Sequence, residues 1–356
     1  GSGSIDLKVS YFKGISSLIE GGSLLAIKGL DGDIKYNVGH ARSDENIHLF
    51  WEDNRASKKI YANQLNSGLL SHNNGKQVTF SDNSSTEIDL SSPVVEFSDD
   101  GIYVATFDAT GSTKEIRINK VNYGLENIWS QDGIPLNAQV DQRNVFLVSL
   151  GINGVGCFYS EAREFDFDIF YQRIDVDGLL QLSTNEPIIS YVNPTNPFDL
   201  IDDFFQEVIL TPDGDLLIFW VEEGFGISRI KYNKISISGE IINGWPLNGY
   251  YLTNQNVRAY NLEVKKIPND DAVLAVWNQD GNFRDIYSQK IGWDGQIHWN
   301  TNGSPICVEN NDQSSFSFDI DINGSTAFIA WEDFINGFDY NVLGKNLYLN
   351  VGPNDV

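Results

Sequence analysis

Six times along this chain an alternating apolar run ends in an aromatic residue. The runs are IHLFW to Trp51, VATF to Phe107, GCFY to Tyr159, LLIFW to Trp220, VLAVW to Trp277 and AFIAW to Trp331. The intervals are 56, 52, 61, 57 and 54 residues, a regularity that unrelated strands do not keep. A period of this size marks stacked supersecondary units, each packing mainly on its neighbours. It overrides the two or three domains that 356 residues would otherwise suggest.

Each unit carries further punctuation. A second strand of alternating apolar and polar residues reads KIYANQL (59–65), EIRINKV (115–121), DIFYQRI (168–174), RIKYNKI (229–235) and DIYSQKI (285–291). An amide recurs in it at one register, as Asn63, Asn119, Gln172, Asn233 and Gln289, and reads as a cap on backbone groups. Glycines follow at Gly68, Gly124, Gly178, Gly239 and Gly295. Next comes G-x-P-apolar, opening at Gly133, Gly244 and Gly303, with Pro187 in the same register. Proline has no N–H to give a ladder, so this strand is expected at an outer edge. Turns rich in Asp, Asn and Gly at 98–101, 152–154, 212–215, 268–271 and 322–324 join each aromatic run to a strand before it. The four strands are called A to D in chain order, the aromatic runs being B. Four antiparallel strands with proline outermost specify a propeller blade.

The expected fold is all-β: a single β-propeller of six four-stranded antiparallel blades, with seven as the alternative. Residues 1–4 (GSGS) read as a linker scar, and 5–356 as the propeller. Five blades are expected at about 33–80, 92–137, 144–190, 205–252 and 260–308. Residues 316–349 supply the inner strands of the last blade and 5–25 its outer strands, so that the N-terminus closes the ring and removes open edges. Both 5–12 and 339–349 look like strand C, so one of them is expected to be displaced.

Trp51-Glu-Asp-x-Arg55, then I-Y-x-Q-x-I-x-x-D-G at Ile286–Gly295, then Trp and G-x-P, resemble the tryptophan-rich propeller repeats of secreted and surface proteins of Bacteroidetes-type bacteria. The resemblance covers almost the whole chain. It implies a propeller and a location outside the cell, and it transfers no catalytic residue. The second repeat departs from it, with Phe107-Asp-Ala in place of W-E-D.

With 49 acidic against 24 basic residues, the net charge of −25 repels phosphate backbones and argues against nucleic acid as a partner. No apolar run approaches the length of a membrane span. The lack of any Met reads as a monomeric domain of a longer chain. Cys157 and Cys307 lie in apolar runs of different repeats and are expected to be buried thiols without a disulfide. There is no G-x-S-x-G, P-loop or H-E-x-x-H, and His40, His48, His72 and His298 form no catalytic constellation. WSQDGIPL (129–136) and GWDGQIHW (292–299) only approximate a sialidase box.

In a propeller the B–C and D–A loops share one face. Here those loops vary: NRASKK (54–59), EAREFDFD (161–168), 190–207, EEGFGISR (222–229), NQDGNFRD (278–285) and EDFINGFD (332–339). They supply the candidate ligand-binding residues Arg163, Phe165, Asp166, Phe225, Asp280, Phe283, Arg284, Phe334 and Phe338, since exposed rings stack while charged groups select. The expected role is non-enzymatic binding of a glycan, peptide or partner protein at the cell surface or beyond it. One alternative is a glycan-active hydrolase or lyase using Glu52, Asp53, Asp108, Glu161, Glu222, Glu332 and Asp333. The other is a scaffold within a larger adhesin. No cofactor is expected. Asp319, Asp321 and Asn323 open like a Ca²⁺ loop, but Ala330 stands where the twelfth-position Glu belongs, which favours a hairpin turn.

Overall fold

The computed structural model describes residues 8–9, 23–24, 35–42, 46–53, 59–66, 69–72, 75–78, 94–108, 115–129, 133–136, 140–163, 166–182, 187–190, 201–308, 310–335 and 339–351. Apart from one 3-10 turn at Gly151–Asn153, every regular element among them is a strand. None is a helix able to cross a membrane. The chain divides into two compact units, Gly1–Cys157 with Gln172–Thr184, and Phe158–Tyr171 with Asn185–Val356.

In the first unit, strands A, B and C are Lys35–Arg42, Asn46–Asp53 and Lys59–Asn66, then Val94–Ser98, Gly101–Asp108 and Glu115–Val121. The strands of the third meander are Gln142–Ser149, Val155–Arg163 and Asp166–Ile174. The second unit continues with Asp202–Leu210, Leu216–Gly224 and Ile227–Ile235, then Arg258–Lys266, Ala272–Asp280 and Arg284–Gly292. It ends with Asp312–Ile320, Thr326–Ile335 and Asp339–Tyr348. Six antiparallel A–B–C meanders therefore follow one another among the described residues. Strand B is central in each, which is why its apolar runs are buried on both faces, as at Gly101–Phe107 and Leu216–Glu222.

Strand D is short and outermost. It is Lys76–Gln77, Ile134–Pro135, Tyr250–Tyr251 and Ser304–Cys307, while Ile189 makes a single bridge to Ile169. Pro135 and Pro305 take the edge places expected of proline. The fourth repeat corrects the sequence reading. Gly244-Trp-Pro-Leu247 is a turn, and the residue aligned with Gly133 and Gly303 is Gly249, just before Tyr250. Gly249 and Gly303 have positive φ, and a Cβ on either would collide with the ring of its own strand-B tryptophan, Trp220 or Trp277. In the second repeat Leu125, not Gly124, has the positive φ that Gly178, Gly239 and Gly295 have elsewhere.

Of the two segments resembling a final strand C, Asp339–Tyr348 is the one laddered to strand B, from Ile335↔Asp339 to Thr326↔Tyr348. Lys8–Val9 pairs antiparallel with Ser23–Leu24. The rest of 5–25, like Gly68, lies outside the described residues. No disulfide joins the cysteines. Cys157 is fully buried, whereas Cys307 is only half-buried, because it ends an edge strand.

The recurrent amides are fully buried clamps on the C–D loops. Gln289 donates to the Asn300 carbonyl (2.8 Å) and accepts from the N–H groups of Trp299 and Lys290 (3.0 Å each). Gln172 does the same with Leu182 and Arg173, and Asn63 with His72 and Gln64. Asn233 donates to Pro246 and accepts from Lys234 N–H. A second recurrence joins strand C to the A–B turn, through Lys120–Asp100, Lys234–Asp213 and Lys290–Asp270 at 2.6–2.7 Å.

Candidate binding edge

The loops read as long and variable are mostly strand. Ladders run from Trp220↔Lys231 on to Gly224↔Ile227 and from Trp277↔Tyr287 on to Asp280↔Arg284. Only Phe225–Gly226 and Gly281–Phe283 remain as tips. Likewise the end of the segment 190–207 is strand, since strand A of the fourth sheet is Asp202–Leu210.

The fourth and fifth sheets meet at a parallel bridge, Ser228↔Arg258, reinforced by the Ser228 N–H donating to the Val257 carbonyl (3.1 Å). Register then carries the row on as Arg258↔Asp280↔Arg284. Asp280 accepts a 2.6 Å hydrogen bond from the Tyr260 hydroxyl, and it has Arg258 and Arg284 each at 3.9 Å. Arg284 lies over the Tyr260 ring at 5.4 Å. Burial, then the bond to Asp280, pushes the Tyr260 phenol up to about 12, so it stays a donor. Arg284 N–H donates to Asp312, which faces Phe334 on the next strand. Burial and the Asp312 charge push Asp285 up to about 6.

Two exposed rings flank this row. Phe283 is 40% exposed at one tip and Phe225 is 73% exposed at the other. Phe225 has φ +54° and Gly226 φ +77°, the two positive angles of a type I′ hairpin. An aromatic residue is strained there, and nothing in the fold buries it.

Of the candidate residues, Asp280, Phe283 and Arg284 share one hairpin, Phe334 is linked to it through Asp312, and Phe225 stands one bridge away. Asp166 opens strand C of the third sheet and Arg163 ends its strand B, apart from this row in the sheet order. Phe165 and Phe338 lie outside the described residues. Asp321 is engaged in its own turn. One oxygen accepts from the N–H groups of Ser325 and Thr326, and the other from the Ser325 hydroxyl. Asp319 caps Ile320 N–H, Asn323 is exposed, and no cluster of acidic, His or Cys residues suited to a metal occurs among the described residues.

The fourth sheet holds a group that the sequence showed only in part. Asp203 on strand A faces Glu222 on strand B, and both side chains are fully buried. Glu222 binds Lys231 (2.9 Å) and Arg229 (2.5 Å), and both cations lie over the Tyr251 ring. Burial first, then the Glu222 charge, holds the Asp203 carboxyl well above the usual range. Asp203 fell within a segment read as loop. Its signal was the buried acid two places past the strand-B aromatic, which recurs as Glu161, Glu222 and Asp333.

No protein-family model matches the chain, and no curated protein does. Solved structures do. The BP39L lectin from Burkholderia pseudomallei aligns with TM-score 0.50 at 10% identity, over 98% of this chain and 90% of its own. Polysaccharide lyase Uly1 aligns at 0.51 and 12%, over 87% and 76%. The PL25 ulvan lyase aligns at 0.51 and 9%, over 86% and 82%. At such identities the likeness concerns the fold, which is all-β and propeller-like.

Proposed function

We propose that the protein is a non-catalytic, carbohydrate-binding β-propeller acting outside the cell as part of a longer surface or secreted chain. In this reading it has six blades, the last completed by N-terminal strands, and the tryptophan-rich repeats are its kin. The observation that carries the binding role is the edge row Arg258–Asp280–Arg284 with Tyr260, flanked by the exposed rings of Phe225 and Phe283. Rings stack on the apolar face of a sugar, and a fixed charged network selects its hydroxyls.

Glycan cleavage is the reading that Asp203 and Glu222 would favour, two carboxyls facing each other on adjacent strands with that of Asp203 pushed well up by burial. Both are sealed from solvent, so no substrate reaches them as they stand. Binding is therefore preferred.

A glycan array probed with the wild type and with a Phe225→Ala, Phe283→Ala double variant tests this. Retention on a subset of glycans, lost in the double variant, is expected. Binding to no glycan, or undiminished binding by the variant, refutes it. Release of reducing ends from a retained glycan would replace the binding reading with the catalytic one.

A further inference from the structure

At the other end of the same strands lies a pocket of about 500 Å³, lined by Asp213, Lys234, Trp245, Tyr250, Trp293 and Asp294. Nine-residue strands put it roughly 25–30 Å from Phe225. It sits among the A–B and C–D turns, where the sequence showed only uniform Asp, Asn and Gly.

Its aromatic wall is fixed by packing. Trp245 and Tyr250 lie 5.6 Å apart at 64°, and Tyr232 meets Trp245 edge-on at 6.2 Å. Gly295, with φ +82°, leaves the space that the Trp245 ring occupies, for a Cβ there would stand 2.7 Å from Cη2. The Gly295 carbonyl accepts from the Tyr232 hydroxyl (2.9 Å), tying the turn to the same wall.

The polar side is fixed as well. Lys234 is held by Asp213 at 2.6 Å and Asp215 at 3.5 Å, so its charge is balanced where it stands. Exposed Asp294 accepts from Gln296 N–H (3.0 Å), and no basic side chain pairs with it among the described residues.

We propose that this pocket binds one neutral pyranose residue, independently of the edge described above. The C–H face of the ring lies on Trp245 and Tyr250, and its hydroxyls reach Asp294 and the Lys234–Asp213 pair. The volume suits a ligand of that size. An anion would face Asp213 and Asp294, and a wholly apolar ligand would strip their water without replacing it.

The test titrates methyl glycosides of glucose, galactose and mannose, with choline as comparator, to millimolar concentration. Saturation-transfer NMR and tryptophan fluorescence supply the readouts. At least one glycoside is expected to bind. Tyr250→Ala and Asp294→Asn should each weaken it about tenfold, and Ile152→Ala, at an exposed turn outside both sites, should leave it unchanged. Asp294→Asn keeps the cap on Gln296, so its loss of binding is separable from misfolding. Binding of no glycoside, binding of choline in their place, or wild-type affinity in both pocket variants would overturn the proposal. Loss of array binding in the Phe225, Phe283 variant with glycoside binding intact would uphold the two sites separately.

Discussion

Asp203 and Glu222 stand directly opposite one another on neighbouring strands, both sealed from water, and Glu222 is ion-paired to Lys231 and Arg229. Burial first, and then the Glu222 charge opposite, pushes the Asp203 carboxyl well above its usual range.

The pH dependence of stability follows. An acid whose folded pKa is raised binds its proton more tightly in the folded state. Its unfavourable contribution is absent below the unfolded value near 3.8 and grows as pH rises towards the folded one. Asp203→Asn removes that contribution. Thermal melts should show the variant more stable by a few degrees at pH 7, with the gain vanishing near pH 3–4. A pH-independent difference would contradict the assignment.

Removing one amide clamp should be costly. Gln289→Ala leaves the Asn300 carbonyl and the Trp299 N–H without their buried partner. Urea denaturation should register a loss of about 2–3 kcal/mol. An equivalent loss from Gln296→Ala, whose side chain is exposed, would deny the clamp its special role.

Two glycines of similar φ, +93° at Gly303 and +88° at Gly214, should differ sharply. Gly303→Ala drives a methyl into the Trp277 ring, whereas at Gly214 a Cβ meets nothing within 4 Å. Both carry left-handed strain of about 1 kcal/mol, but Gly303→Ala should lose a further 1–3 kcal/mol, roughly, from overpacking. Equal unfolding midpoints would count against the tryptophan contact.

Phe225 should trade stability for binding. Phe225→Asn places the favoured Asn-Gly pair in the type I′ turn and should raise stability by about 1 kcal/mol. The same change should lower retention on the array. Stability and binding rising together would remove Phe225 from the binding edge.

Fold class was legible because strand B is central in every meander. Burial on both faces forces unbroken apolar runs, and their period survives even where Phe107 or Tyr159 replaces tryptophan. Asp280, Phe283 and Arg284 were legible for a different reason: a hairpin tip places close neighbours in sequence close in space. Asp203 was hidden because Glu222, the residue it faces, lies 19 residues away across the sheet. Trp245 was misread as edge strand because what fixes it is Gly295, in the next repeat, and such contacts leave no local pattern.

The buried amides have a bearing on how such a protein grows. Each clamp closes a loop of about ten residues using only atoms of its own repeat. A duplicated or deleted repeat thus brings or removes its own fastening intact. Ancestral gain and loss of whole units could then proceed by recombination at the joints, leaving the tips free to diversify.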